Sequence, residues 1–273
     1  MLYNIRKFHY EDGIQIRLYQ RPIKIGKGKE GDICDFSEDN SAEDIKSDLP
    51  SGRKFVISET SEDNKDLQRS LYVSMNRSKQ MIYGIARANK WDYFLTLTFD
   101  RNLVDSSDYK LVVKKAQNWL DNIRKRTSPD IKYLIVPELH ADMEHWHLHG
   151  LLADCPELTL TDSGYKSKSG LVIYNLQNWR YGFSTVTHVT HNHKVSAYVS
   201  KYITKELADC TKGRQRYWAS NNCIRPLQVC EYDMEKLSLD EMLEKYSAHA
   251  NHISERSSKD GHQKIIYIEL DTE

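Results

Sequence analysis

The amino-acid sequence has no long apolar run. No part of its 273 residues approaches the ~20 consecutive apolar residues that a membrane-spanning helix requires. The first seven residues, Met-Leu-Tyr-Asn-Ile-Arg-Lys, contain no apolar segment of the kind found in signal peptides. With an apolar share of 39% and a charged share of 29%, the composition predicts a globular protein of the cytoplasm that has no membrane partner.

Cysteine is scarce and scattered. The sequence contains no Cys-x-x-Cys pair, and its five cysteines are Cys34, Cys155, Cys210, Cys223 and Cys230. An odd, unclustered set argues against a disulfide framework and against a structural zinc site. We therefore expect the protein to work in a reducing compartment.

The sequence has no excess of either charge sign, because 39 Lys and Arg residues balance 39 Asp and Glu residues. The charges are nevertheless segregated: acids concentrate in residues 30–66 and after Cys230, and basic residues in 110–126 and 194–216. Non-specific affinity for nucleic acid depends on local positive potential rather than on total charge. The basic segments are therefore compatible with nucleic-acid binding, the alternative being ordinary solvated surfaces. Trp218, beside the second basic segment, is a candidate for stacking on a base.

The order of apolar patterns predicts an α+β fold. We predict an N-terminal extension with an acidic, mobile segment (residues 1–65), a central domain (66–208) and a C-terminal extension (209–273). Within the central domain the patterns predict a central antiparallel sheet of about five strands with helices mainly on one face. The spacing of apolar residues predicts helices over Leu171–Trp179 and Lys194–Leu207.

A histidine pair is the most informative feature of the sequence. Residues 145–152 read as a strand, and alternate side chains of a strand share a face, which places His147 and His149 side by side. Glu138 ends the strand that we expect to pair with the histidine strand. Two imidazoles and one carboxylate suit Mn²⁺ or Mg²⁺ acting on a phosphate, and would also accept Zn²⁺ or Co²⁺. His145 is a rival ligand, and the simpler alternative is a surface strand with coincidental histidines.

A repeated Tyr-x-x-Lys unit follows farther along the chain. Tyr198 and Tyr202 are four residues apart, as are Lys201 and Lys205. On a helix this spacing places the two tyrosines on one face, ~5–6 Å apart. A tyrosine hydroxyl can attack a phosphodiester and form a covalent phosphotyrosine, and a nearby lysine can position the phosphate. The alternative is an amphipathic helix without a chemical role.

Three blocks of the sequence together resemble the HUH endonucleases. Phe94–Phe99, Pro137–Leu152 and Ala197–Lys205 look like the first strand motif, the metal motif and the tyrosine motif of that superfamily. Within the superfamily, the sequence is most similar to the rolling-circle replication initiators of plasmids and single-stranded-DNA phages. The resemblance covers residues 93–205.

The resemblance implies an HUH fold, which is RRM-like, and it assigns roles to residues of this chain. These are the metal ligands Glu138, His147 and His149, the nucleophiles Tyr198 and Tyr202, and an assisting cation at Lys201 or Lys205. It implies nicking and rejoining of single-stranded DNA at a replication origin, through a 5′-phosphotyrosine intermediate that leaves a 3′-hydroxyl to prime replication. The cell would be bacterial or phage-infected. The sequence lacks the Gly-x-x-x-x-Gly-Lys-Ser/Thr motif of a P-loop, so we expect any helicase to be a separate partner.

Two alternatives stay open. An HUH transposase or a mobilisation relaxase would use the same chemistry on other DNA. A non-catalytic regulator would bind origin DNA through the same kind of sheet and form no covalent bond. The sequence also leaves open whether one or both tyrosines act.

Overall fold

The structure is a computed structural model. It describes residues 2–24, 62–156, 158–203, 207, 211, 214–257 and 263–271, without the side chains of residues 62–69 and of His193. Lys205, Cys34 and Cys210 lie outside the described residues, as does most of the segment predicted to be mobile.

The described residues form twelve strands and four helices. In chain order these are β1 (Leu2–Tyr10), β2 (Gly13–Lys24), α1 (Glu62–Arg87), β3 (Tyr93–Phe99), α2 (Tyr109–Arg126), β4 (Lys132–Leu139), β5 (Trp146–Ala153), β6 (Leu160–Lys166), β7 (Val172–Leu176), β8 (Gly182–His188), α3 (Asn192–Ser200), β9 (Trp218–Ala219), β10 (Leu227–Glu231), α4 (Leu239–Tyr246), β11 (His252–Ser257) and β12 (Lys264–Asp271). The predicted α+β class is confirmed. None of the described helices has the length and apolar character needed to cross a membrane.

Contacts between residues divide the chain into two compact units. The terminal unit consists of Met1–Ser74 and Pro226–Glu273, and the central unit consists of Met75–Arg225. The two ends of the chain, which the sequence presented as separate extensions, therefore contribute strands to one unit. The domain limits predicted from the sequence stay a prediction.

The terminal unit contains a five-stranded antiparallel sheet with the order β10-β1-β2-β12-β11. Helix α4 packs on it and starts with a capping box, in which Ser238 and Glu241 each accept a hydrogen bond from the other's backbone N–H. The buried residues of this core come from both ends of the chain: Ile5, Ile16, Leu18, Met242, Ile266 and Ile268.

The central unit contains a seven-stranded antiparallel sheet with the order β6-β7-β8-β3-β5-β4-β9. The prediction of about five strands was too low. The predicted helix over Leu171–Trp179 is wrong, because these residues contain strand β7, which pairs with β6. Val172, Ile173 and Tyr174 are β-branched or aromatic, and this preference for a strand outweighs their helical spacing.

One face of the seven-stranded sheet packs into the core of the central unit. Leu95, Leu97 and Phe99 of β3 are buried. Thr96 and Thr98 alternate with them and therefore point to the other face.

Helix α2 covers the core face. Asp108 caps its start by accepting a hydrogen bond from the backbone N–H of Lys110 at 2.9 Å. The ring of Tyr109 lies 4.8 Å from the ring of Trp146, which the alternation of β5 places on the side opposite His147. Further buried residues of the helix are Val112, Ala116, Trp119, Leu120 and Ile123. Because α2 takes the core face, the opposite face remains for the histidines.

Candidate active site

The two histidines lie on β5, between β3 and β4. His147 pairs with Glu138 on β4 and with Thr98 on β3, and His149 pairs with Thr96. Directly paired residues of antiparallel strands point to the same face. The five side chains therefore form one group, and we call the side of the sheet that carries them the histidine face.

A threonine hydroxyl holds each imidazole. Nδ1 of His147 lies 3.0 Å from Oγ1 of Thr98, and Nδ1 of His149 lies 3.0 Å from Oγ1 of Thr96. These contacts fix the orientation of both rings and leave each Nε2 for another partner. A hydroxyl both donates and accepts, so the same threonine supports either neutral tautomer of its histidine.

Glu138 contacts the more buried histidine. Its Oε2 lies 2.6 Å from Nε2 of His149. The side chain of His149 is 8% exposed and that of Glu138 is 37% exposed. A short contact between an imidazole N–H and a carboxylate is a charge-assisted hydrogen bond, so Nε2 of His149 carries the proton here and Nδ1 accepts from Thr96.

The donor types of this group suit a divalent metal, although the side chains do not surround a common point. Within the described ranges, no three His, Cys, Asp or Glu side chains are arranged to hold a metal ion. Two imidazole nitrogens and one carboxylate oxygen are nevertheless ligands that such ions accept. A threonine behind each imidazole is an outer partner of the kind that orients metal-binding histidines.

Positive neighbours and burial favour the neutral form of His147. Burial and the positive charges of His140 and His149 lower its pKa from the ordinary value, while the negative charges of Glu138 and Asp142 partly oppose this. A neutral imidazole keeps a lone pair on one nitrogen, which a proton would otherwise occupy.

The turn between β4 and β5 contains a second cluster, centred on Asp142. Its carboxylate accepts hydrogen bonds from the backbone N–H groups of Glu144 and His145, both at 3.0 Å, and from Arg101 at 2.8 Å. The two backbone hydrogen bonds are the main reason that the pKa of Asp142 lies below its usual range. Nδ1 of His145 lies 2.9 Å from the same carboxylate, so this predicted rival ligand is engaged with the turn.

The tyrosine segment begins as a helix and ends as a tighter turn. Helix α3 ends at Ser200, short of the predicted end at Leu207. The backbone N–H groups of Lys201, Tyr202 and Ile203 then donate to carbonyls three residues earlier, at 3.1, 3.4 and 3.4 Å. This is the spacing of a 3₁₀ turn, which rotates successive side chains by more than an α-helix does.

Both tyrosine rings lie on the histidine face. The ring of Tyr202 stacks on His149, with 3.6 Å between centroids and 4° between planes. The ring of Tyr198 is nearly perpendicular to that of Tyr202 at 5.4 Å, and it also contacts Phe94 at 5.3 Å. The tyrosine segment and α2 therefore cover opposite faces of the sheet, so the prediction of helices mainly on one face is wrong.

The central part of the chain has relatives of known class. Residues 92–207 match the family model for the replication-associated protein ORF2. The match supports a replication initiator family and a role in DNA replication. No match was found among curated proteins or among solved structures.

The match to the replication-associated family, which covers less than half of the chain, includes the histidine face. It starts one residue before β3 and ends after the tyrosine segment. All seven residues to which the sequence assigned roles lie inside it: Glu138, His147, His149, Tyr198, Lys201, Tyr202 and Lys205.

The two tyrosines differ in exposure and acidity. Tyr198 is 47% exposed, and Nζ of Lys201 lies 5.9 Å from its ring centroid. Tyr202 is partly buried, and burial, a hydrogen bond with Tyr198 and the negative charge of Glu138 raise its pKa. In this arrangement Tyr198 is the accessible hydroxyl and Tyr202 is the protected one.

Sequence reasoning missed three residues of this region. Thr96 and Thr98 orient the imidazoles, and the ring of His140 stacks on His147 with 4.7 Å between centroids. A signal existed, since Thr-x-Thr on one strand has the spacing of His-x-His on the next. The prediction that Trp218 contacts DNA is wrong, because Trp218 is 9% exposed and packs beside Tyr109.

Proposed function

We propose that this chain initiates rolling-circle replication by nicking and rejoining single-stranded DNA at a replication origin. The observation that carries the proposal is the stacking of Tyr202 on His149, at 3.6 Å between ring centroids. It brings a pair of tyrosines against a pair of histidines on one face of the sheet. The family match over residues 92–207 supports the same role independently.

The proposed reaction is a transesterification. The phenolic oxygen of Tyr198 attacks the phosphorus of the scissile phosphodiester, and the bond between phosphorus and the 3′-oxygen breaks. Overall, a proton passes from the phenol to the departing 3′-oxygen. The products are a 5′-phosphotyrosine ester on the protein and a strand with a free 3′-hydroxyl. Because one ester replaces another, attack by a 3′-hydroxyl on the phosphotyrosine rejoins DNA without a further source of energy.

The surroundings of the tyrosines support Tyr198 as the first nucleophile. Its hydroxyl is on an exposed side chain, whereas Tyr202 lies flat on His149 and burial raises its pKa. A raised pKa disfavours the phenolate, which is the better nucleophile. We assign Tyr202 to the rejoining step, after it has left the surface of His149.

Lys201 is the cation closest to the proposed reaction. Its ammonium group lies over the Tyr198 ring at 5.9 Å from the centroid. A positive charge there stabilises the negative charge that gathers on the phosphate oxygens as the bonds exchange. Lys205, predicted for the same role, lies outside the described residues.

Glu138, His147 and His149 are the residues that would hold Mn²⁺ or Mg²⁺. Such an ion supplies Lewis-acid polarisation of a phosphate oxygen. The chain's own part is to present Nε2 of both histidines, and the hydroxyl of Thr96 allows His149 to change tautomer when Glu138 turns away.

The proposal is tested by covalent capture of DNA. The full chain is incubated with Mn²⁺ and a 3′-labelled pool of random single-stranded oligonucleotides, because a 5′-phosphotyrosine keeps the 3′ part of the strand on the protein. We expect a labelled adduct that survives denaturing electrophoresis and is lost when both Tyr198→Phe and Tyr202→Phe are present. Tyr165→Phe is the matched control, because Tyr165 is 72% exposed on β6.

Three outcomes separate the proposal from its alternatives. An undiminished adduct in the double variant removes these tyrosines from the reaction. Binding of the pool without any adduct from the unchanged chain points to a non-catalytic regulator. An adduct that forms only on oligonucleotides containing a hairpin from the end of a mobile element points to a transposase.

A further inference from the structure

Phe183 is an exposed aromatic residue in the interior of a sheet. It is 71% exposed, although its strand β8 has a neighbouring strand on each side. Ser184 and Val186, which alternate with the exposed positions of β8, are buried. The exposed ring therefore stands on the solvent side of a well-anchored strand.

Phe183 belongs to the same cross-strand row as the candidate site. Phe183 pairs with Thr98, Thr98 pairs with His147, and His147 pairs with Glu138. Paired residues share a face, and neighbouring strands are ~4.8 Å apart, so the backbones of Phe183 and His147 are ~10 Å apart on the histidine face.

A glycine sets the position of the ring. Gly182 precedes Phe183 and has a φ of +152°, and a Cβ there would collide with the backbone of Thr98 and of Asp100. Only glycine permits this approach of β8 to β3. The place of Phe183 beside Thr98 is thus fixed by main-chain packing.

The segment that contains Phe183 carries no negative side chain. From Ser163 to Lys205 the sequence has no Asp or Glu, although the whole chain has 39. The basic residues of this acid-free segment are Lys166, Lys168, Arg180, Lys194, Lys201 and Lys205. Positive charge without interspersed acids attracts a polyanion.

We propose that Phe183 is a stacking platform for a base of the single strand, next to the phosphate that is cut. The identity of the strand as substrate rests on the proposed function. Single-stranded nucleic acid is bound by aromatic rings that stack on bases and by cations that follow the backbone. The occupant is a single strand because the bases of a duplex are already stacked and paired, which hides their flat faces from a ring on a sheet.

The test measures binding separately from cutting. Fluorescence anisotropy of a labelled random single-stranded oligonucleotide is recorded with the full chain in a chelator, which removes divalent ions. We expect Phe183→Ala to weaken binding by about five- to a hundredfold and Phe183→Trp to retain it. Ile224→Ala is the matched control, because Ile224 is also an exposed apolar residue of the central unit, at 57%.

Two further readings separate stacking from loss of charge or of folding. The dependence of affinity on salt should keep its slope in Phe183→Ala, since no phosphate contact is removed. The fluorescence of Phe183→Trp should be quenched by DNA more strongly than that of the unchanged chain, because the new indole stacks on a base.

The outcomes are distinct from those of the adduct experiment. Unchanged affinity in Phe183→Ala, or no added quenching in Phe183→Trp, overturns the platform even when the chain still forms an adduct. Weakened binding in Phe183→Ala together with no adduct from the unchanged chain leaves the platform in place and removes the nicking reaction.

Discussion

Threonine hydroxyls, rather than charged groups, set the orientation of both site histidines. Thr96 and Thr98 lie 3.0 Å from Nδ1 of His149 and His147, respectively. A carboxylate in their place would hold Nδ1 protonated and add a negative charge beside each ring. A hydroxyl adapts to either tautomer, so the proton on each imidazole responds to what occupies the histidine face.

The residue-scale prediction concerns the titration of His147. Burial and the charges of His140 and His149 lower its pKa below the ordinary 6.5, while Glu138 opposes them. We expect an NMR titration midpoint below 6.5 in a chelator. His140→Gln should raise this midpoint because a positive neighbour is removed, and Glu138→Gln should lower it further because a negative neighbour is removed. Shifts in the opposite directions would contradict the assigned causes.

This lowered pKa has a consequence for stability. Between the lowered value and 6.5, the unfolded chain binds more protons at His147 than the folded chain does. The contribution of His147 to the free energy of unfolding is therefore fully present above the unfolded pKa and decreases as the pH falls through this window.

At the scale of elements, the strands of the site were predictable and the end of the tyrosine helix was not. The alternation of β5 and the placement of Glu138 on its hairpin partner follow from a period of two, which is visible in the sequence. The change to a 3₁₀ turn after Ser200 accompanies the packing of Tyr202 on His149. That contact joins residues far apart in the chain, and no local pattern reports it.

The element-scale prediction concerns the packing between β4 and β5. A Cβ on Gly150 would collide with the terminal methyl of Ile135, which is 1% exposed. We expect Gly150→Ala to lower the free energy of unfolding by about 1–3 kcal/mol. Ile135→Val removes that methyl, so the double variant should lose less than the sum of the two single variants.

The measurement is urea unfolding followed by tryptophan fluorescence. Strict additivity in this double-mutant cycle would show that the two positions do not meet, and would call into question the register that pairs Glu138 with His147.

At the scale of the whole molecule, the sequence did not show that the two ends of the chain form one sheet. Strands β1 and β2 lie between β10 and β12, which come from the other end of the chain. Pairing between such distant segments leaves no local pattern, because each strand alternates in the same way whatever its partner is.

The molecule-scale prediction concerns a chain that stops at Arg225. This truncation removes β10, α4, β11 and β12, and it leaves β1 and β2 as a two-stranded hairpin, which is marginally stable in water. We expect residues 2–24 to become sensitive to protease, while the central unit, residues 75–225, stays protected. Limited proteolysis with mass spectrometry measures both, and continued protection of residues 2–24 would contradict the dependence of this hairpin on the C-terminal strands.

The terminal sheet also sets an order for biosynthesis. The strands that leave the ribosome first must wait for β12, which is among the last segments to be made, before their sheet is complete. The central unit is synthesised entirely within that interval, and domains form as units during synthesis. The nascent chain therefore acquires its histidine face before its own two ends have met.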